Sequence, residues 1–127
     1  KLYRVVPGFI IQWGIPSSPT EYVKWGDNKI KDDPVKVSNG VGTISFATSG
    51  PNARGSQIFV NVGNNAMLDE QGFSPIGTVK VGLETFAACH DCSTYVKLDQ
   101  AQAKQQGNAY FEAQAPKLSY IAEAVLM

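Results

Sequence analysis

Histidine and cysteine are nearly absent from this 127-residue chain: its one histidine, His90, and its two cysteines, Cys89 and Cys92, all fall in the run "CHDC". With no second cysteine pair and no second histidine, a four-ligand zinc site would have to recruit carboxylates. The spacing therefore favours two ordinary thiols or a local disulfide over a metal or catalytic-thiol centre. The compartment stays open. Net charge is missing too: 11 basic and 11 acidic residues cancel, and no basic stripe of the kind that neutralises a phosphate backbone is present, which argues against nucleic acid as a partner. Nor is there a long apolar run. Pro7, Gly8, Gln12 and Gly14 interrupt the most hydrophobic stretch well short of the roughly 20 residues a membrane helix needs, so no membrane span is expected. The start "KLYRVV" lacks a charged segment followed by a long apolar one, so no signal peptide is visible. Repeats, low-complexity tracts and linkers are absent as well, and the length suits one domain, residues 1–127.

What is present is a series of short β-prone runs. Residues 2–14, "LYRVVPGFIIQWG", read as two strands around a Pro7-Gly8 turn, with Arg4 and Gln12 as polar insertions in an apolar hairpin. Residues 15–40 hold Pro16, Pro19 and Pro34 along with "GDNKIKDD" and read as a long surface excursion with a short strand at best. Strand candidates follow at 42–48, 57–62 and 76–81, a spacing that argues for an antiparallel barrel or sandwich. Two helices are expected, at 83–89 and at 98–113, the second weakened or split by Gly107 and stopped by Pro116. The end, "KLSYIAEAVL", reads as a final strand or as an extension of the helix.

Two polar-plus-aromatic groups stand out. In the run "GSQIFV" strand alternation points Gln57 and Phe59 to one face and Ile58 and Val60 to the other. Arg4, Phe9 and Gln12 lie together in the first hairpin. An arginine inside an apolar strand is costly to bury without a partner, so either it reaches solvent at the rim or something bound there offsets the cost. On these residues alone, a hairpin with a solvated polar rim and a binding groove both remain open.

Longer motifs narrow the choice. The run "RVVPGFIIQWG" resembles the first signature of the cyclophilins, and "GTISFATSGPNARGSQIFV" resembles the second. The run "LDEQGFSPIGTVKVGLETF" is similar to the family's segment with Leu-Asp, an aromatic-glycine turn and a strand, and the tail looks like the C-terminal helix and last strand of a divergent branch. The resemblance implies a mainly β fold, an antiparallel β-barrel with capping helices, and peptidyl-prolyl cis-trans isomerase activity that assists protein folding. It implies that Arg4 and Gln12 are catalytic, that Phe9, Ile10, Phe59 and Leu68 wall a pocket for the proline ring, and that Ala47, Thr48, Ser49 and Gln57 form the rim holding substrate backbone. Proline-containing segments are then the partners. Rotation about an amide calls for no nucleophile, metal or cofactor, in keeping with a chain that has no Ser-His-Asp set.

The pattern also departs from the family's. Met67 stands where many cyclophilins carry a tryptophan at the pocket lip, which implies weak cyclosporin binding, while a flexible apolar methionine still covers a peptide. The family's pocket histidine is replaced around Gly72 and Phe73, and Phe73 is expected to supply the missing wall. Most cyclophilins place a strand pair and a helix before the arginine strand, and without these an eight-stranded barrel does not close and leaves open edges. A longer protein of which this is one stretch, a missing part supplied by a neighbouring chain, or a reduced cyclophilin with a structural role would each account for this, and the first is the expectation. The rival to an isomerase is a cyclophilin-like binding or structural subunit of a larger assembly.

Overall fold

The Pro7-Gly8 pair closes the first hairpin. The Phe9 N–H donates to the Val6 carbonyl at 3.0 Å across it, and Gly8 supplies the positive φ, +71°, that the third position of such a turn demands. The flanking strands, β1 (Arg4–Val6) and β2 (Ile10–Trp13), pair antiparallel with Arg4 opposite Gln12 and Val5 opposite Ile11. In this computed structural model, which describes residues 1–127, the other strands are β3 (Thr43–Phe46), β4 (Ile58–Asn61) and β5 (Pro75–Thr78). Every pairing is antiparallel, in the order β1-β2-β4-β3-β5. The expected antiparallel β architecture is thus present as an open five-stranded sheet with β1 and β5 at its edges. Around it stand four short helices, α1 (Pro19–Trp25), α2 (Leu83–Ala87), α3 (Gln100–Gln106) and α4 (Asn108–Gln114).

Register gives the sheet two different faces. One row of paired residues reads Val5, Ile11, Val60 and Ile44 across four strands, and the next reads Arg4, Gln12, Phe59 and Ser45 on the opposite side. The first row is core. Leu2, Val5, Ile11 and Val60 are buried there, and Leu83 and Phe86 of α2 pack over them, with Phe86 stacked on Trp13 at 5.4 Å. Each fully buried aliphatic side chain of this kind stabilises the fold by about 1.5–3 kcal/mol. A half-exposed pair such as Lys1–Glu112, at 3.9 Å, contributes about 0–1 kcal/mol, so packing rather than charge holds the layers.

A second core joins α1, α3 and α4 to the start of the chain, with Tyr3, Ile15, Tyr22, Ala103, Tyr110 and Phe111 buried together and Tyr3 stacked on Phe111 at 5.6 Å. Asp99 caps α3 by accepting from the N–H groups of Ala101 and Gln102 at 2.8 and 3.2 Å. Gly107 splits the expected single helix at 98–113. Its φ is +64°, and a Cβ there would collide with the Ser17 carbonyl oxygen, to which the Asn108 N–H donates at 2.9 Å.

Two expectations need correction. The 15–40 excursion contains α1. Pro19 sits in its first turn, where a missing N–H costs nothing, Glu21 and Lys24 complement the helix dipole, and Tyr22 anchors it in the core. The tail forms no strand or helix: residues 118–127 are without regular structure and mostly exposed. Its one ladder-like bond runs from the Leu2 N–H to the Ser119 carbonyl at 2.9 Å, too little to hold a strand. No helix is long and apolar enough to cross a membrane.

Candidate active site

Arg4, Gln12 and Phe59, three neighbours in one row of that face, line a cavity of about 420 Å³. Its deep end is apolar. Ile10, Phe59 and Leu68 are buried, Phe9, Ala47 and Phe73 pack against them, and the Phe73 ring meets Phe59 edge-on at 5.7 Å. A short 3₁₀ turn at Ala66–Leu68 delivers Leu68 to this socket and leaves Met67 56 % exposed and outside the cavity lining. The other residues singled out from the sequence, Arg4, Phe9, Ile10, Gln12, Ala47, Thr48, Ser49, Gln57, Phe59, Leu68 and Phe73, all line this cavity.

Beside the socket the polar groups are oriented by one another. Arg4 Nη1 donates to Gln12 Oε1 at 3.2 Å, while Gln12 Nε2 donates to the Tyr3 hydroxyl at 2.8 Å and to Gln57 Oε1 at 3.0 Å. The Tyr3 hydroxyl in turn donates to Gln57 Oε1. Both Gln12 N–H groups are thereby used, and the Gln57 amide oxygen is held by Tyr3 and Gln12, which leaves Gln57 Nε2 without a protein acceptor on a residue that lines the cavity. Burial pushes the Tyr3 phenol above its usual range, against the smaller opposing pull of the Gln12 hydrogen bond, so the hydroxyl stays protonated and keeps its place in the chain of bonds. Arg4 is exposed and makes no ion pair with a carboxylate, so most of its five donors remain available.

Behind the socket lies a buried polar network. Asn39 Nδ2 donates to the Phe73 carbonyl at 2.8 Å and to Asp69 Oδ1 at 2.7 Å, and Asn39 Oδ1 accepts from Ser45 at 2.7 Å. Asn65 Nδ2 donates to the Phe9 carbonyl at 2.9 Å and to Asn61 Oδ1 at 2.7 Å. Two walls of the socket, Phe9 and Phe73, are thus held through their backbones. Hydrogen bonds from Ser38 and Asn39 hold the Asp69 carboxyl below the usual carboxylate range.

The polar rim is pinned from outside. Arg54, buried among surface loops, donates to Asp33 Oδ2 at 3.0 Å and lies over the Phe46 ring at 5.3 Å, which ties the excursion after α1 to the loop between β3 and β4. Thr48 Oγ1 donates to the Gly50 carbonyl at 2.6 Å, so its hydroxyl shapes the loop itself. Cys89 and Cys92 are free thiols away from the cavity. Cys92 is buried in the helical core, which pushes its thiol pKa up.

Residues 1–107 match the family model described as cyclophilin type peptidyl-prolyl cis-trans isomerase/CLD. The chain belongs to this family. It is 39% identical over 93 residues to peptidyl-prolyl cis-trans isomerase A of Dickeya dadantii, covering 65% of this chain and 46% of that protein. Over 87 residues it is 34% identical to human peptidyl-prolyl cis-trans isomerase-like 3, covering 65% of this chain and 53% of that one. The chain spans about half the length of the curated relatives it matches. Among solved structures it resembles a Cryptosporidium parvum cyclophilin type peptidyl-prolyl cis-trans isomerase, with a TM-score of 0.59 at 26% identity, over 77% of this chain and 65% of that one. A second structure of that protein, in the presence of the dipeptide Ala-Pro, matches with a TM-score of 0.59 at 25% identity, over 77% and 66% of the two chains.

Within this cyclophilin sheet, sequence reasoning missed Tyr3 and the asparagines at 39, 61 and 65. Tyr3 precedes β1 and reads as apolar filling, Asn39 and Asn65 fall in loop-like stretches, "SNG" and "GNN", and Asn61 reads as an ordinary position near the end of the 57–62 strand.

Proposed function

We propose that this chain catalyses cis-trans isomerisation of X-Pro bonds in exposed protein segments, with Arg4 as its catalytic donor. The observation that carries this reading is a single guanidinium free of carboxylates, oriented by Gln12, at the mouth of an apolar socket walled by Ile10, Phe59, Leu68 and Phe73.

The chemistry follows from amide resonance. A peptide bond resists rotation by about 18–20 kcal/mol, and an X-Pro bond exchanges unaided in roughly tens to hundreds of seconds. When the bond twists, the proline nitrogen loses resonance and becomes an acceptor. A guanidinium aimed at it stabilises that state more than either planar isomer. The socket fixes the proline ring, Gln57 Nε2 offers its unused donor to a substrate carbonyl, and the Ala47–Ser49 rim flanks the extended backbone, so one side of the bond is held while the other turns. The Tyr3–Gln12–Gln57 bonds remove the need to reorganise these groups during the reaction.

The test is exchange spectroscopy on a short X-Pro peptide, comparing the native chain with Arg4→Ala. The variant should keep its fold and lose about 10²–10³-fold in catalysed exchange, the loss associated with removing one preorganised transition-state donor. A folded native chain that binds the peptide without accelerating exchange overturns the enzyme reading and leaves a binding module.

A further inference from the structure

The cavity does not end at the apolar socket. It continues to a second wall lined by Gly26, Lys29, Gln100 and Lys104, supplied by the end of α1, the turn after it and α3. This wall is closely fitted. Gly26 packs on the Tyr22 ring so tightly that a Cβ would collide with it, and a Cβ at Gly55 would collide with the Gly26 carbonyl oxygen and come within 3.0 Å of Lys29 Nζ. Lys29 Nζ donates to that same carbonyl, and Lys104 Nζ lies 5.4 Å over the Tyr22 ring. Both ammonium groups are therefore tethered to the wall.

Charge makes this end unusual. The chain as a whole is neutral, yet Arg4, Lys29 and Lys104 line one cavity that no carboxylate lines, and none of the three forms an ion pair. Like charges gathered on a concave surface raise the local potential and draw in an anion. Arg4 faces the socket, so Lys29 and Lys104 are the pair left for a second contact.

We propose that this wall selects X-Pro segments carrying an acidic side chain beside the proline, with Lys29 and Lys104 as its partners, an inference that rests on the groove reading above. It makes the two lysines specificity-determining residues and distinguishes acidic from neutral and basic substrate segments.

The test uses the whole 127-residue chain and peptides acetylated and amidated at their ends, so that no terminal carboxylate competes. Each carries Glu or Gln at one of the two positions before or after a proline, and affinities are read from NMR titrations at low ionic strength. At one or more positions Glu should bind about fivefold tighter than Gln, in keeping with weak exposed ion pairs. The preference should vanish near 1 M salt, where screening acts over about 3 Å. In Lys29→Gln/Lys104→Gln the Glu-to-Gln ratio should fall to about one, and in Lys29→Glu/Lys104→Glu a Lys-bearing peptide should be favoured instead. Equal affinities at every position in the native chain, or a preference that survives in the double Gln variant, overturns the inference.

Exchange rates on the same samples separate the two readings. Acceleration without acid preference keeps the isomerase and removes this selectivity. Acid preference without acceleration keeps the selectivity and removes the isomerase. No binding of any peptide overturns both.

Discussion

The two ends of the cavity are built on different principles. The socket end comes from adjacent strands and the 3₁₀ turn, its side chains Ile10, Phe59 and Leu68 are buried, and its loops are fixed by the Asn39 and Asn65 hydrogen bonds behind them. The lysine end comes from α3 and the turn after α1, whose helices pack on a different core, and its charged groups reach solvent. Shape at the first end is inseparable from the fold, whereas charge at the second is laid on a wall already formed. Substitutions at the socket should therefore cost stability and binding together, and those at the lysine wall should alter which peptide is chosen.

The largest contrast is expected from Phe59→Ala. Phe59 is 2 % exposed at the centre of the sheet, and removing such a ring typically costs about 3–5 kcal/mol. That is a large part of the roughly 5–15 kcal/mol a domain has. Urea melts should register this loss, while Lys29→Gln should stay within about 0.5 kcal/mol of the native chain. Similar melts for the two variants would erase the distinction between the ends. Asn39→Ala comes next. It is fully buried, and its loss orphans Ser45 and the Phe73 carbonyl, at about 1–3 kcal/mol for such an unsatisfied group. Because Phe73 is released along with it, affinity for a proline peptide should fall as well. Unchanged affinity in a destabilised variant would show that the network supports the sheet without shaping the socket.

The same contrast explains what could be read from sequence. Arg4 and Gln12 share a face because strands alternate and the Pro7-Gly8 turn sets the register, both local properties, whereas the pairing of Gln12 with Phe59 is long-range and was implied only by the cyclophilin resemblance. Gln57 and Phe59 followed from the same period of two. The lysine wall could not be read this way. Pro16, Pro19 and Pro34 made the segment after β2 look like loop, although a proline in the first turn is a helix-start signal. Lys29 and Lys104 line one cavity only because Tyr22 and Ala103 bury in a common core, a tertiary event with no periodic signature. Asn39, Asn61 and Asn65 were misread for a related reason. At 39 and 65 the residue type signals turns, at 61 it sat unremarked near the end of a strand, and only burial converts the three into a network.

Tyr3 belongs to both ends, since its ring stacks in the helical core and its hydroxyl joins the Gln12 and Gln57 bonds of the groove. Tyr3→Phe keeps the stacking and removes only the hydroxyl. It should destabilise by about 0.5–1.5 kcal/mol, the net worth of a hydrogen bond, and lower catalysed exchange less than Arg4→Ala does, because the Gln12 to Gln57 bond at 3.0 Å survives. A pH series adds an independent signature. The unfolded phenol titrates near its usual value of about 10, whereas burial raises the folded one above that. Above pH ~10 the unfolded state therefore binds fewer protons than the native state, and native stability must decline as pH rises. Below that pH the phenol is protonated in both states and the contribution is fully present. Subtracting the Tyr3→Phe stability profile from the native one isolates this group. A difference that shrinks as pH climbs past ~10 ties the groove's hydrogen bonds to the core beneath them, and a flat difference would mean that Tyr3 is solvated and holds neither.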